Sequence, residues 1–232
     1  MQLAIIPARG GSKRIPRKNI KTFHGQPMIA WSIQAALKSG CFDEVWVSTD
    51  DAEIAQVAQE YGAKVPFLRP TELSNDFATT ADVMQHAVNF FVNEEQAQPD
   101  YVCCLYATAP FVMQQDLLNG LSLIQAEKID YVFSATTFPF PIQRAIKLTE
   151  KGHVEMFSPE HFNTRSQDLQ EAWHDAGQFY WGTAEAWLNK SVIFSDQSKI
   201  VELPRYRVQD IDTTDDWMRA ELMANLLLDV QT

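Results

Sequence analysis

The sequence predicts an α/β fold, a mostly parallel sheet sandwiched by helices, in a single domain over residues 1–232. Three observations carry that expectation. Short apolar runs recur at Leu3–Ile6, Val45–Val47, Tyr101–Tyr106 and Tyr131–Thr136. Stretches of helix length and helical periodicity separate them, as right-handed βαβ crossovers require. The first run is continuously apolar and ends at a proline, as a strand covered on both faces does.

Each element follows from local signals. Leu3-Ala4-Ile5-Ile6 is the first strand and stops at Pro7. Residues 27–38 form a helix with Pro27 at its start and Gly40 as its stop; Ile29, Ile33, Ala36 and Leu37 make one stripe. Val45–Val47 is the next strand. Asp51–Tyr61 is a helix stopped by Gly62, and Val65–Leu68 a short strand. Thr79 or Thr80 caps a helix through Phe91. Strand Tyr101–Tyr106, helix Met113–Lys128 and strand Tyr131–Thr136 continue the alternation. Pro139 and Pro141 then break it, and about 140–175 reads as an insertion that leaves the sheet. Regular structure returns at Gln178–Trp181. Strands are expected at Lys199–Leu203 and Arg207–Ile211, then a helix from about Asp215 to Val230. Thr213 and Asp216 have the spacing of its capping box.

Composition narrows the function. The formal net charge is -11 and the pI about 4.8, which excludes a general nucleic-acid binder. Apolar stretches fall well short of the roughly 20 residues of a membrane span. No basic region precedes the first apolar run, so it does not read as a signal peptide. Cys41, Cys103 and Cys104 lack metal-ligand spacing and read as reduced thiols of a cytoplasmic protein. Cys103 and Cys104 are expected on opposite faces of one strand. The charge is also unevenly spread. Residues 1–42 hold seven basic side chains and no acid, whereas the remainder holds 12 basic and 30 acidic ones.

The basic excess is concentrated in Pro7–Asn19, directly after the first strand. Ligands of open parallel sheets bind at that carboxyl edge. Gly10 and Gly11 let backbone N–H groups turn inward around an anion, and Arg9 and Lys13 add full charges. Arg9 can fork two oxygens while Lys13 is a point charge. This is the chemistry of a polyphosphate site, although neither GxGxxG nor GxxxxGK[ST] is present. The alternative is a basic loop facing solvent or an acidic partner.

Near the other end, Asp210-Ile211-Asp212 is expected at a strand end, with both carboxylates on one side and Ile211 in the core. Two oxygen ligands without His or Cys suit Mg²⁺, with Mn²⁺ as the second possibility. The alternative is a pair of solvated acids ahead of a capped helix. Thr79, Thr80 and the strand end Ser48-Thr49-Asp50 are candidates to line a base and ribose.

Ile6–Asn19 together with Asp210-Ile211-Asp212 resembles the CMP-sialic acid synthetase (acylneuraminate cytidylyltransferase) family, over nearly the whole chain. Within it, Leu105–Pro110, Asn163–Leu169 and His174–Gly182 resemble the branch acting on pseudaminic acid. The resemblance implies a nucleotide-diphospho-sugar transferase-like (Rossmann-like) fold and a cytoplasmic homodimer whose insertion reaches the partner's site. It implies transfer from CTP to a nine-carbon α-keto acid sugar with Mg²⁺, giving a CMP-sugar for cell-surface or flagellin glycosylation. The phosphate-binding positions fall on Arg9, Ser12 and Lys13, the other basic and nucleotide-contacting positions on Lys18 and Asn19, and the metal positions on Asp210 and Asp212; Gly10 and Gly11 join the nucleotide-binding set through the backbone argument above. Arg9, Lys13, Asp210 and Asp212 are the expected catalytic set.

A sugar-contacting Gln of the sialic acid enzymes is replaced here by Tyr106, and an Asn-Gly by Ala176-Gly177. Both changes favour a different acid sugar. Arg165, supported by Gln167, is the expected partner of the sugar carboxylate, and Tyr180 the expected wall for acetamido methyls. His86 reads as structural, and His174 as a minor candidate. The rival readings are a cytidylyltransferase for sialic or legionaminic acid, a non-catalytic nucleotide-sugar-binding domain, and a glycosyltransferase.

Overall fold

The structure is a computed structural model describing residues 1–227. The elements in chain order are β1 (Gln2–Pro7), β2 (Thr22–Phe23), β3 (Gln26–Pro27), α1 (Met28–Ser39), β4 (Glu44–Ser48) and α2 (Ala52–Glu60). Then come α3 (Thr80–Glu95), β5 (Tyr101–Leu105), α4 (Gln114–Glu127), β6 (Tyr131–Thr137), β7 (Ile146–Leu148) and β8 (Val154–Met156). The series ends with β9 (Trp173–Thr183), α5 (Ala184–Asn189), β10 (Ser198–Glu202) and α6 (Thr214–Leu227).

Six strands form one sheet in the order β10-β6-β9-β5-β1-β4. β1 pairs in parallel with β4 and β5, and β10 with β6. β9 alone runs against its neighbours. Side-chain alternation then sorts the core by face. Ala4, Ile6, Val47, Cys103, Leu105, Phe179 and Trp181 pack beneath α1, α2 and α4. Leu3, Ile5, Trp46, Cys104, Tyr131, Phe133 and Tyr180 pack beneath α3 and α5. Cys103 and Cys104 do face opposite sides, and all three cysteines are free. Gly120 lets α4 lie close to the sheet: a Cβ there would sit 2.5 Å from Trp181 Cδ1.

A third cluster joins the two ends of the chain. Ile15 from the basic loop, Phe23, Phe111, Ile211 and Trp217 pack together, with Phe23 and Trp217 edge-to-face at 5.4 Å. Burying Ile15 and Ile211 in one cluster places their flanking charged residues side by side.

Four expectations are corrected. Arg207–Ile211 is not a strand: Arg205–Arg207 is a 3-10 turn and the chain then runs irregularly to Thr213. The cause is tertiary. Arg207 is buried, donates to Asp116 at 2.6 and 3.0 Å and to the Phe111 carbonyl at 3.3 Å. Val65–Leu68 is likewise no strand; only single bridges pair Lys64 with Trp46 and Leu68 with Thr49. The strand seen at Gln178–Trp181 begins at Trp173, within the span assigned to the insertion, and is antiparallel. The segment leaving the sheet is a β7–β8 hairpin with short 3-10 turns. Finally, α5 was not foreseen. Thr79 caps α3 with a full capping box to Asp82, and Thr213 and Asp216 exchange the expected bonds at the start of α6. The expected end of that helix at Val230 lies outside the described residues.

Candidate active site

Parallel strands carry their binding loops at their carboxyl ends, and here those of β1 and β5 open into one cavity of about 750 Å³. β1 delivers Arg9, Ser12, Lys13, Arg14, Lys18 and Asn19 to its wall. β5 delivers Tyr106 and Thr108, the loop before α3 delivers Asp76, Thr79 and Thr80, and the loop before α6 delivers Asp210 and Asp212. The sequence-predicted basic loop and acid pair therefore share a single cavity. Ile211 is fully buried between the two acids, so the expected alternation survives without a strand.

The basic side chains are held by carboxylates. Arg9 donates to Asp76 at 2.9 Å and to the Asn75 carbonyl at 3.3 Å, and Lys13 reaches the other Asp76 oxygen at 2.5 Å. Lys13 and then Arg9 hold the Asp76 carboxyl below its usual range. Arg17 adopts a left-handed φ of 55° and grips both Asp51 oxygens, one of them at 2.9 Å, and Glu53 at 2.5 Å. The Asp51 carboxyl falls to about 2, chiefly through Arg17.

The glycine pair works differently from expectation. The Gly10 N–H donates to Asp50 Oδ1 at 3.0 Å rather than facing the cavity, because the acidic end of β4 lies against it. Gly10 also has no room for a Cβ, which would lie 2.7 Å from Asp51 Oδ2. Neither glycine lines the cavity. Asn19 fixes the loop by donating to the Arg9 carbonyl at 3.0 Å.

At the acid pair, Asp212 accepts from Arg14 at 2.6 Å and from Lys18 at 3.1 Å; Lys18 also holds the Ile211 carbonyl. Burial would raise the Asp212 carboxyl, and these two cations outweigh it. Asp210 has no hydrogen-bonded or ion-paired partner for its carboxylate among the described residues. Burial first, then Asp212, pushes its carboxyl up. An acid with no protein partner among the described residues, beside a second acid, is a fitting place for a hard divalent cation that keeps its waters. Charge balance agrees. Arg9, Lys13, Arg14, Lys18 and Arg69 face Asp76, Asp210 and Asp212. This net excess of two falls short of a triphosphate's roughly four negative charges, and one divalent ion closes the gap.

Arg69 was missed by the sequence reading. It is buried at the cavity wall, donates to Ser74 at 3.2 Å and lies 3.7 Å from Asp50. Burial lowers its guanidinium value and Arg9 adds to the effect, but a guanidinium stays charged. Asp76 was missed too. Both are single charged residues outside any motif, so nothing local singles them out.

The sugar-side expectations fare unevenly. Tyr106 lines the cavity, and its hydroxyl lies 3.4 Å from Thr80 Oγ1. Tyr180 does not line it: the ring is buried behind Tyr106 and its hydroxyl is spent on Asp175. Arg165 and Gln167 sit in the insertion outside the cavity, with Arg165 donating to Asp168 at 2.7 Å. His86 packs edge-on to Phe67, and His174 packs against Phe138 with the rings tilted; neither lines the cavity.

Comparison with known proteins gives a consistent picture. The chain matches the family model described as cytidylyltransferase over residues 3–232. It is 49% identical over 221 residues to pseudaminic acid cytidylyltransferase of Campylobacter jejuni, covering 95% of each chain. It is 32% identical to CMP-N,N'-diacetyllegionaminic acid synthase of Legionella pneumophila, covering 97% of this chain and 96% of that one. Among solved structures, CMP:2-keto-3-deoxy-manno-octonic acid synthetase complexed with CTP shares the fold, with a TM-score of 0.69 at 19% identity. The alignment covers 97% of this chain and 99% of that one.

Proposed function

The chain belongs to the cytidylyltransferase family, and on that premise we propose that it activates pseudaminic acid: CTP and the nine-carbon acid sugar give the CMP-sugar and pyrophosphate. One observation carries the reading. The basic loop after β1 and the acid pair before α6 meet around one cavity, held together by Arg14 and Lys18 on Asp212. The choice of sugar is supported by the 49% identity to the Campylobacter jejuni enzyme, against 32% to the legionaminic acid synthase.

The reaction needs positioning and charge stabilisation more than covalent chemistry from the protein. The anomeric hydroxyl attacks the α-phosphorus in line, and pyrophosphate leaves. Arg9 and Lys13 exchange Asp76 for the β- and γ-phosphates and neutralise the leaving group, with Arg69 adding charge from the wall. Asn19 and Lys18 hold the loop and the acid pair in register. Asp210 and Asp212 would hold Mg²⁺ or Mn²⁺, which when bound polarises the α-phosphate and acidifies the attacking hydroxyl. Thr79 is engaged with Asp82 at 2.6 Å, so the Thr80 hydroxyl is the freer of the two for the ribose or sugar.

We place the reaction in a cytoplasmic homodimer. In support, the insertion exposes Phe140, Leu148, Phe157 and Phe162, an apolar set suited to burial against a second copy. From there Arg165 and Gln167 would serve the partner's cavity. The test is pyrophosphate release from CTP and pseudaminic acid, with Mg²⁺ and with excess chelator. The reading expects release that needs CTP, sugar and metal together. No release with any nonulosonic acid would overturn it.

A further inference from the structure

Asp212 offers two carboxylate oxygens, and a different cation holds each. Lys18 donates to Oδ1 at 3.1 Å and Arg14 to Oδ2 at 2.6 Å. The two cations are not equivalent. The Lys18 side chain is 17% exposed and also donates to the Ile211 carbonyl, so two bonds anchor it. The Arg14 side chain is 64% exposed, and Asp212 is its one hydrogen-bonded partner among the described residues.

The backbone around the acid pair does not depend on the Arg14 bond. Ile15, next to Arg14, and Ile211, next to Asp212, are buried in one apolar cluster. The Asp212 N–H donates to Asp216 Oδ2 at 3.2 Å, and Gln209 Nε2 donates to the Asp210 carbonyl at 2.7 Å. Packing, Lys18 and these bonds keep the basic loop and the acid pair together when Arg14 lets go. What Arg14 adds is positive charge on the carboxylate that an ion shared with Asp210 needs. A guanidinium there uses lone pairs of the carboxylate and repels a second cation.

The geometry points to Arg14 as a tethered counter-cation that competes with the divalent ion for Asp212 and so weakens metal binding by the nucleotide-free protein. This rests on the functional reading above, which makes Asp210 and Asp212 the metal pair, and deepens it. The acid pair is thereby set to hold an ion weakly by itself, and removing one exposed charge is enough to tighten it.

The experiment titrates Mn²⁺ into nucleotide-free wild type, Arg14→Gln, Arg14→Lys and the double variant Arg14→Gln with Asp212→Asn, reading free Mn²⁺ by electron paramagnetic resonance. Arg14→Gln is expected to bind Mn²⁺ about two- to fivefold more tightly than wild type, the scale of one exposed ion pair. Arg14→Lys keeps the charge and is expected to stay close to wild type. Adding Asp212→Asn is expected to abolish the gain, which locates it at the acid pair. An arginine that merely held the acid pair in shape would give the opposite sign. Equal or weaker Mn²⁺ binding in Arg14→Gln would therefore overturn the inference, as would a gain shared by Arg14→Lys or one that survives Asp212→Asn. The same wild-type protein is assayed for pyrophosphate release from CTP. No release with any nonulosonic acid would overturn the functional reading and this inference with it. Release alongside unaltered Mn²⁺ binding in Arg14→Gln would overturn this inference alone.

Discussion

The guanidinium of Arg14 and the carboxylate of Asp212, 198 positions apart in sequence, meet at 2.6 Å. That contact, with Lys18 on the same carboxylate, ties the basic loop of β1 to the acid pair before α6. It turns two separate sequence features into one site.

Arg9 and Lys13 should carry charge stabilisation rather than stability. Both are substantially exposed. Arg9→Ala and Lys13→Ala should each lower kcat/KM by about a hundredfold or more, the scale of losing one preorganised cationic contact. The melting temperature should move little. Pyrophosphate release and thermal melting check both halves.

Asp76 occupies the cations that the reading assigns to the triphosphate. Asp76→Asn keeps the size and polarity but removes the competing charge. The CTP KM should fall by about two- to fivefold, as for an exposed ion pair, and depend less on salt. A KM series at two ionic strengths measures this.

Asp51 links the site to pH. It caps α2 by accepting the Glu53 and Ile54 N–H groups, each at 3.0 Å, and pairs with Arg17. Its carboxyl lies at about 2 instead of 3.8. A depressed acid stabilises the fold above its unfolded value, and that gain disappears as pH falls through its folded value. Asp51→Asn keeps the cap, so it isolates the ion pair and should cost about 1 kcal/mol at neutral pH after allowance for solvent screening. The difference from wild type should shrink between pH about 4 and 2. Urea titrations across that range are the check.

Arg207 and Asp116 form a buried pair that shapes the approach to Asp210. Arg207→Ala strands a buried carboxylate and should cost about 3–5 kcal/mol. Replacing both partners by Met and Leu should recover most of the stability. Denaturant midpoints of the single and double variants distinguish the two outcomes.

Leu148 is among the exposed apolar residues of the insertion, with 72% of its surface accessible. If that face meets a second copy, Leu148→Glu should shift sedimentation toward the monomer and lower turnover with it.

The particular residues show where sequence was readable. β1, β4, β5 and β6 were legible because each apolar run is bounded by a cap, a glycine or a proline. Arg207–Val208–Gln209 alternates like a strand, but its conformation is set by Asp116, 91 positions away. The direction of β9 is equally invisible, since an antiparallel and a parallel buried strand read alike. At the site, Arg9, Lys13, Asp210 and Asp212 stood out because they lie in dense motifs. Arg69, Asp76 and Asp175 act through folded contacts and carry no local signal. Tyr180 shows the converse failure: alternation chose its face correctly but not what lay between it and the cavity.

The most direct test compares kcat/KM for pseudaminic, legionaminic and sialic acids with CTP and Mg²⁺, read as pyrophosphate release. Pseudaminic acid should exceed the others by about tenfold or more, the scale of one well-placed polar contact. Equal or higher kcat/KM for sialic acid would contradict the assignment.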